Sequence, residues 1–257
     1  MNWHNTDIDV LQRHGAEVDD HGAYRVFRFP ACPSFHWGHF IEVTEPGSAT
    51  DAAELSRWVD TFKRHFPDAD WISILLPEQP NLAACEQLGL DYDPEVELVA
   101  DTPLEHRALP EGYSVRPLDG DDDWAAWEEL RLATSGATEP EALEGWLQFN
   151  REQQAWHRRA QREGTLQRFG AFDEHGQLCS SVGIFPLGDR GRFNNVSTAE
   201  QHRRQGLASH LLSVADEWCR QQGSRVTAIV ADAGSEAERL YRSLGFRPAG
   251  EHHQVGA

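Results

Sequence analysis

A mixed α/β (α+β) fold, with a central sheet flanked by helices and arranged as two tandem halves, is predicted by three observations. Residues 113–257 read in the order β-α-α-β-β-β-α-β-α-β. Residues from about 20 to 100 read β-α-β-α-β, the order that also closes the downstream half. Both copies set a helix before Leu-Gly and an apolar residue, "EQLGL" upstream and "RSLGF" downstream. The upstream half therefore reads as a degenerate, partial repeat, although two unrelated β-α-β units could look the same. Between the halves, "DTPLEHRALPEG" (101–112) holds two prolines and ends on glycine, the composition of a linker. The expected domains are 1–100 and 113–257.

Each element has a local reason. Upstream, "SFHWGHFIEV" reads as a strand, and "SATDAAELSRWVDTFKRHF" as a helix with a capping signal at Ser48. "WISILL" is a strand, "NLAACEQLGL" a short helix and "EVELVAD" a strand. Downstream, "YSVRPL" alternates like a strand. "DDDWAAWEELRLAT" is a helix with acids in its first turn, where the helix dipole favours them. A longer helix spans 139–163, with Leu143, Trp146, Leu147 and Phe149 clustered on one side and Gly164 as its stop. Two strand-like runs then flank "DEHGQ", a hairpin loop, and "GRFNNVST" follows as a third. A helix through Gln222 carries the apolar stripe Leu207, Leu211, Val214, Ala215 and Trp218, with Gly223 ending it. "RVTAIVA" is a buried strand. "SEAERLYRSLG" is a helix with a capping box from Ser235 to Glu238 and Gly245 as its stop, and "FRPAGEHHQV" closes as a strand. The β-α-β crossover should set "FNNVST" and "VTAIVA" parallel and adjacent.

Composition narrows the function. The chain has 257 residues and a formal charge of −19, from 42 acids against 23 bases, with Lys63 its one lysine. A field of that sign disfavours nucleic acid and anionic membranes and favours cationic partners. Growth in salt would explain the same acidity, with substrate steering as the alternative. No apolar run reaches the length of a membrane span, and "MNWHNTDIDVLQRHG" has no apolar core of a signal peptide. Cys32, Cys85, Cys179 and Cys219 lie far apart without a C-x-x-C pair, so a reducing cytoplasm is expected rather than a disulfide framework or zinc ribbon. The paired histidines, His36 with His39 and His252 with His253, lack cysteines or carboxylates at ligand spacing, so no metal is expected.

The chemistry concentrates in "QHRRQGLASHLL" (201–212). A helix start carries unbonded N–H groups and a partial positive charge. A strand that feeds such a start through a glycine turn is an anion cradle. In Arg203-Arg204-Gln205-Gly206-Leu207-Ala208, Gly206 and Ala208 let a phosphate approach the backbone, and the arginines add charge. Without a ligand, those bases would oppose the dipole by roughly 0.3–1 kcal/mol each. Neither a Walker G-K-[ST] nor a G-x-G-x-x-G is present.

Two motifs separated by one strand, R-x-x-G-x-A at 203–208 and A-x-x-L-Y-x-x-L-G-F at 237–246, resemble the GCN5-related N-acetyltransferase (GNAT) family. The resemblance covers about 112–250 in the family's element order. It implies a tandem GNAT-like architecture, complete downstream and partial upstream. It implies that Val196, Ser197 and Thr198 offer backbone groups to the acetyl and pantetheine part of acetyl-CoA, a co-substrate. Arg203, Arg204, Gln205, Gly206, Leu207, Ala208 and Ser209 would bind its pyrophosphate through their amides. Tyr241 would act as general acid toward the leaving thiolate, the alternative being a half-buried helix tyrosine with a satisfied hydroxyl. Ser235 stands where the family often has asparagine, which puts a side-chain contact to CoA there in doubt.

The implied function is acetyl transfer to a primary amine of a small molecule or peptide by direct attack in a ternary complex. A non-catalytic acyl-CoA-binding module and transfer of a longer acyl or aminoacyl group are the alternatives. Glu200 and Asp232 flank the expected cleft but read as solvated acids, so water would carry the amine proton away. Trp146, Phe149 and Trp156 are candidates to line the acceptor site, with core packing the competing duty. The upstream half has no R-x-x-G-x-A, and Cys85 stands where Tyr241 would align, as a core cysteine rather than a nucleophile. Neither nucleic acid nor membrane is expected as a partner, and the sequence allows a homodimer.

Overall fold

The computed structural model describes residues 6–137 and 139–257. The first five residues, part of the stretch read as lacking a signal peptide, lie outside the described residues. The chain opens with α1 (Thr6–Arg13), β1 (Glu17–Asp20), β2 (Tyr24–Arg28) and β3 (Phe40–Val43). Then come α2 (Ala52–His65), β4 (Ser73–Leu76), α3 (Leu82–Leu88) and β5 (Asp91–Ala100). Next are β6 (Ser114–Pro117), α4 (Gly120–Thr134), α5 (Pro140–Arg162), β7 (Gln167–Phe172), β8 (Leu178–Leu187) and β9 (Arg190–Thr198). The chain closes with α6 (Leu207–Gln221), β10 (Val226–Asp232), α7 (Glu236–Ser243) and β11 (Arg247–Gly256). This is the mixed α/β class expected. No helix among the described residues is long and apolar enough to cross a membrane.

Two compact units are present. One comprises the residues up to Glu97 together with Val230–Glu238 and Ala249–Ala257. Its strands run in the order β1-β2-β3-β4-β11-β5. The β3–β4 pair is parallel, with Ile41 opposite Ile74, and β11 runs antiparallel to β4, with Val255 opposite Ile74. Val26, Ile41, Leu55, Trp58, Phe62, Ile74 and Val255 form its core. Two local expectations are corrected here. Asp51, not Ser48, caps α2: its extended backbone turns the carboxylate onto the amides of Ala53 and Glu54. Ser48 is buried, and its carbonyl accepts the Trp58 indole N–H at 3.0 Å. The strand expected over "SFHWGHFIEV" is confined to β3, because His36–Gly38 forms a 3₁₀ turn in which Gly38 packs tightly against Phe29.

The second unit comprises Leu98–Ile229 and Arg239–Pro248. Its strands run β10-β9-β8-β7-β6. The run β6 to β9 is an antiparallel meander, and β9 pairs with β10 in parallel, as the crossover required. Helix α4 packs on β8 and β9, and α6 on β7, β8 and β9. Contact with three strands buries more of α6 than a single stripe: Leu212, Cys219 and Asp216 join Leu207, Leu211 and Ala215, while Val214 stays partly exposed. Buried Asp216 is fully engaged, accepting from the Leu104 amide, Thr227 Oγ1 and Arg220 Nε. The Leu104 bond ties the stretch read as a linker to α6.

Candidate functional site

Strand β9 is irregular where it matters. Ser181 faces Ser197 and Gly183 faces Asn194, so Val182 alone opposes both Asn195 and Val196. This is a β-bulge, and Asn195 sits in it at φ +48°. Across the other edge, the β9–β10 register ends at Arg192 opposite Ala228. The paired register of the two strands goes no further. The backbone of 193–198 therefore runs past the end of its β10 ladder. Val196, Ser197 and Thr198 are partly exposed there.

The chain then turns directly into α6. A 3₁₀ turn spans Glu200–His202, Arg204 adopts φ +60°, and Gly206 caps the helix at φ +86°. Residues 203–206 are exposed, and a Cβ built on Gly206 would meet nothing within 4 Å. Space therefore lies open over the helix start. No acid stands in the first turn of α6, so the helix's own first turn leaves the positive end of its dipole uncompensated. Arg203 Nε donates to the Thr198 carbonyl at 3.2 Å, folding the loop back on β9. Tyr113, read in the sequence only as the start of a strand, holds the loop from the far side. Its hydroxyl lies 2.7 Å from His202 Nδ1 and donates to Gln205 Oε1 at 2.9 Å. That bond spans 92 residues of chain, so no local pattern could have exposed it.

Tyr241 lies on α7 with 5% of its surface exposed. Its ring meets Phe246 edge-on at 6.1 Å, and Phe246 meets Phe193 of β9 at 5.9 Å. The Leu-Gly-Phe of the second motif thereby ties the tyrosine's surroundings to the candidate strand. The capping box forms, with the Glu238 amide donating to Ser235 Oγ at 3.1 Å and Glu238 reaching the Gly234 amide. Ser235 thus spends its hydroxyl on the helix cap. Glu200 and Asp232 are both exposed. Cys85 is buried, and burial pushes its thiol up, away from nucleophilic use.

The three aromatic residues of α5 divide. Trp156 is buried and stacks on Phe185 at 5.7 Å. Trp146 and Phe149 are partly exposed, and the Arg131 guanidinium lies 5.6 and 5.9 Å from their ring centres. Among the described residues, one trio brings metal-ligand atoms together: Asp173, Cys179 and His202, within 4.8 Å of one another. All three residues make other contacts. Asp173 accepts the amides of His175 and Gln177 in the β7–β8 hairpin, the Cys179 thiol donates to the Gln177 carbonyl, and His202 meets Tyr113. Of the paired histidines, His36 stacks on Trp71 at 4.2 Å, and His252 is buried beside Glu95 and Glu97.

Comparison with known proteins agrees with this geometry. Residues 124–246 match the acetyltransferase (GNAT) family. An N-acetyltransferase of Bacillus subtilis, YobR, whose own role is uncharacterised, is 34% identical over 64 residues, which is 24% of this chain and 26% of that protein. The chain thus matches about a quarter of that relative's length. A GCN5-related N-acetyltransferase from Kribbella flavida has a similar fold, with a TM-score of 0.64 at 18% identity over 97% of this chain and 94% of that one. A tandem GNAT protein from the clavulanic acid biosynthesis pathway aligns with a TM-score of 0.56 at 16% identity, covering 94% and 83% of the two chains. Residues 124–246 of the chain thus carry a domain of the acetyltransferase (GNAT) family.

Proposed function

We propose that the segment 113–257 transfers an acetyl group from acetyl-CoA to a primary amine of a small molecule or peptide. The observation that carries this reading is a single continuous run of chain. A bulged strand ends its pairing with β10 at Arg192, turns through a glycine at φ +86°, and starts a helix with no acid in its first turn. The open space over Gly206 suits a diphosphate, and the amides of 203–209 are the donors to hold it. In this reading the backbone of Val196, Ser197 and Thr198 orients the thioester end. The reaction forms an N–C bond and breaks the C–S bond. The amine loses one proton, which water carries out, and the thiolate gains one. Tyr241 supplies the proton to sulfur, since a phenol of pKa about 10 and a thiol of pKa about 8.5 are close enough for transfer.

The upstream segment 1–100 is assigned no catalytic part, since it has no R-x-x-G-x-A loop and its Cys85 is buried. A cytoplasmic setting belongs to the same proposal, supported by four buried cysteines that form no disulfide. The test is release of free CoA thiol from acetyl-CoA across a panel of amines. Amine-dependent release supports transfer. Acetyl-CoA binding in calorimetry with no thiol released by any amine would identify a CoA-binding module instead.

A further inference from the structure

The acidic surface favours cationic partners, yet the inside of the second unit holds the opposite signal. Arg168 on β7 is fully buried. Its side chain crosses the backbone at Gly183, where a Cβ would come within 2.5 Å of Nη2, and reaches the β9 bulge. No partner it finds is a carboxylate, and none is closer than 3.2 Å: Asn194 Oδ1 at 3.2 Å, His157 Nδ1 at 3.3 Å, and Ser181 Oγ and the Asn195 carbonyl at 3.4 Å. Its Nε has no acceptor. Arg131 on α4 lies in an aromatic corner, with Trp127, Trp146 and Phe149 within 5.9 Å of its guanidinium. Its Nε is also enclosed without an acceptor. Both guanidiniums face the Trp127 ring, at 4.7 and 5.6 Å.

Among the described residues, no carboxylate lies within ion-pair distance of either arginine, in a chain with 42 acids. A buried guanidinium without a counter-charge costs several kcal/mol. Long bonds to neutral oxygens and one or two ring faces return only part of that. Burial holds the Arg131 pKa down at about 10, and burial together with the Arg131 charge pushes Arg168 down as well. An anion seated between them would relieve both desolvation and mutual repulsion. A carboxylate matches the guanidinium fork in shape as well as charge.

Resting on the transferase reading above, we propose that the acceptor amine bears a carboxylate, received by Arg131 and Arg168 beneath α4 and α5. Arg168 contacts Asn195 in the same bulge that precedes Val196–Thr198, so the anion is held beside the strand assigned to the acetyl group. The acceptor class is then an amino acid or amino-acid-like amine rather than a polyamine.

The test uses product-side binding, which needs no turnover. The full chain with CoA is titrated with a panel of N-acetyl-amino acids and the matching N-acetyl-amino-acid amides, read by calorimetry and Trp fluorescence. The expected result is at least one carboxylate that binds about 30-fold or more tighter than its amide, with the preference lost in Arg131→Met. CoA binding by that variant confirms its fold, and its partly exposed side chain makes it safer to replace than Arg168. The proposal is overturned if no carboxylate outbinds its amide, or if Arg131→Met keeps the preference. Thiol release with the preferred amino acid separates the two claims. Carboxylate preference without thiol release upholds the anion site and removes the transferase reading. Thiol release from amines without any carboxylate preference does the reverse.

Discussion

Gly206→Val probes the cradle where its geometry is most demanding. At φ +86° and ψ 4° the residue is left-handed, a conformation that costs an L-residue about 1–2 kcal/mol and a β-branched one more. Nothing in the protein would touch the new Cβ, so the effect is one of backbone conformation and of the space above the loop, not internal clash. If the loop keeps its shape, the strain lowers the melting temperature by about 2–8 °C, and the valine occupies the volume assigned to the diphosphate. If the loop relaxes instead, the amides of 206–209 turn away. Each charged hydrogen bond from an amide to phosphate contributes roughly 1.5–3 kcal/mol, so losing two weakens CoA by about 100-fold or more. Arg204→Ala is the control. Arg204 is exposed at φ +60°, and alanine keeps the same backbone demand while removing only the guanidinium. An exposed charge of this kind contributes about 0–1 kcal/mol, so CoA should weaken no more than roughly five-fold. Calorimetry with CoA and thermal melts of both variants decide the matter. Equal losses in the two, or wild-type affinity in Gly206→Val, would refute the assignment of binding to the backbone.

Tyr241→Phe should lower kcat by roughly 10²–10⁴-fold while acetyl-CoA still binds, measured by thiol release against calorimetry; unchanged turnover removes its role as acid. Gly183→Ala should destabilise the second unit by about 1–3 kcal/mol in denaturant melts, because its Cβ drives against Arg168 and comes within 3.3 Å of the Asn194 carbonyl. The first unit should lose stability as pH rises. Burial alone would lower the His252 pKa, but Glu97 beside it, with Asp7 and Glu95, holds it above the ordinary 6.5. Its ring Nε2 lies 3.8 Å from Glu97 Oε2, an ion-pair separation. A raised histidine pKa gives stability that is complete below about 6.5 and is lost as pH passes through the folded value. Burial raises the Glu42 pKa, while Arg25, paired with it, and His252 pull it back. Melts from pH 6 upward should therefore slope down, and His252→Gln should flatten the slope.

The part of the site built from one stretch of chain was legible, because local physics sets it. Gly206 before the spacing of Leu207, Leu211 and Ala215 announces a helix start after a turn, and Ser235 three residues before Glu238 announces the next. The parallel β9–β10 pair followed from handedness and connection length alone. What stayed hidden depends on distant partners. β1, "EVDD", is acidic and mostly exposed, so it carries no alternation, and it exists by pairing with β2. Asp51 outcompetes Ser48 as a cap only because of the backbone angle the preceding turn imposes. Arg168 sits in a strand buried almost throughout, where sequence offers no inner and outer face to tell a buried arginine from a solvated one. The β9 bulge likewise depends on which β8 residue faces which, and neither strand signals it alone.

Seating of acetyl-CoA by the β9-to-α6 turn of this chain is decided by a crystal structure of the protein with acetyl-CoA bound. The pyrophosphate oxygens should lie at hydrogen-bond distance, about 3 Å, from backbone amides within 203–209, with the thioester beside Val196–Thr198. A pyrophosphate seated away from that loop, or a thioester that never approaches β9, would contradict it.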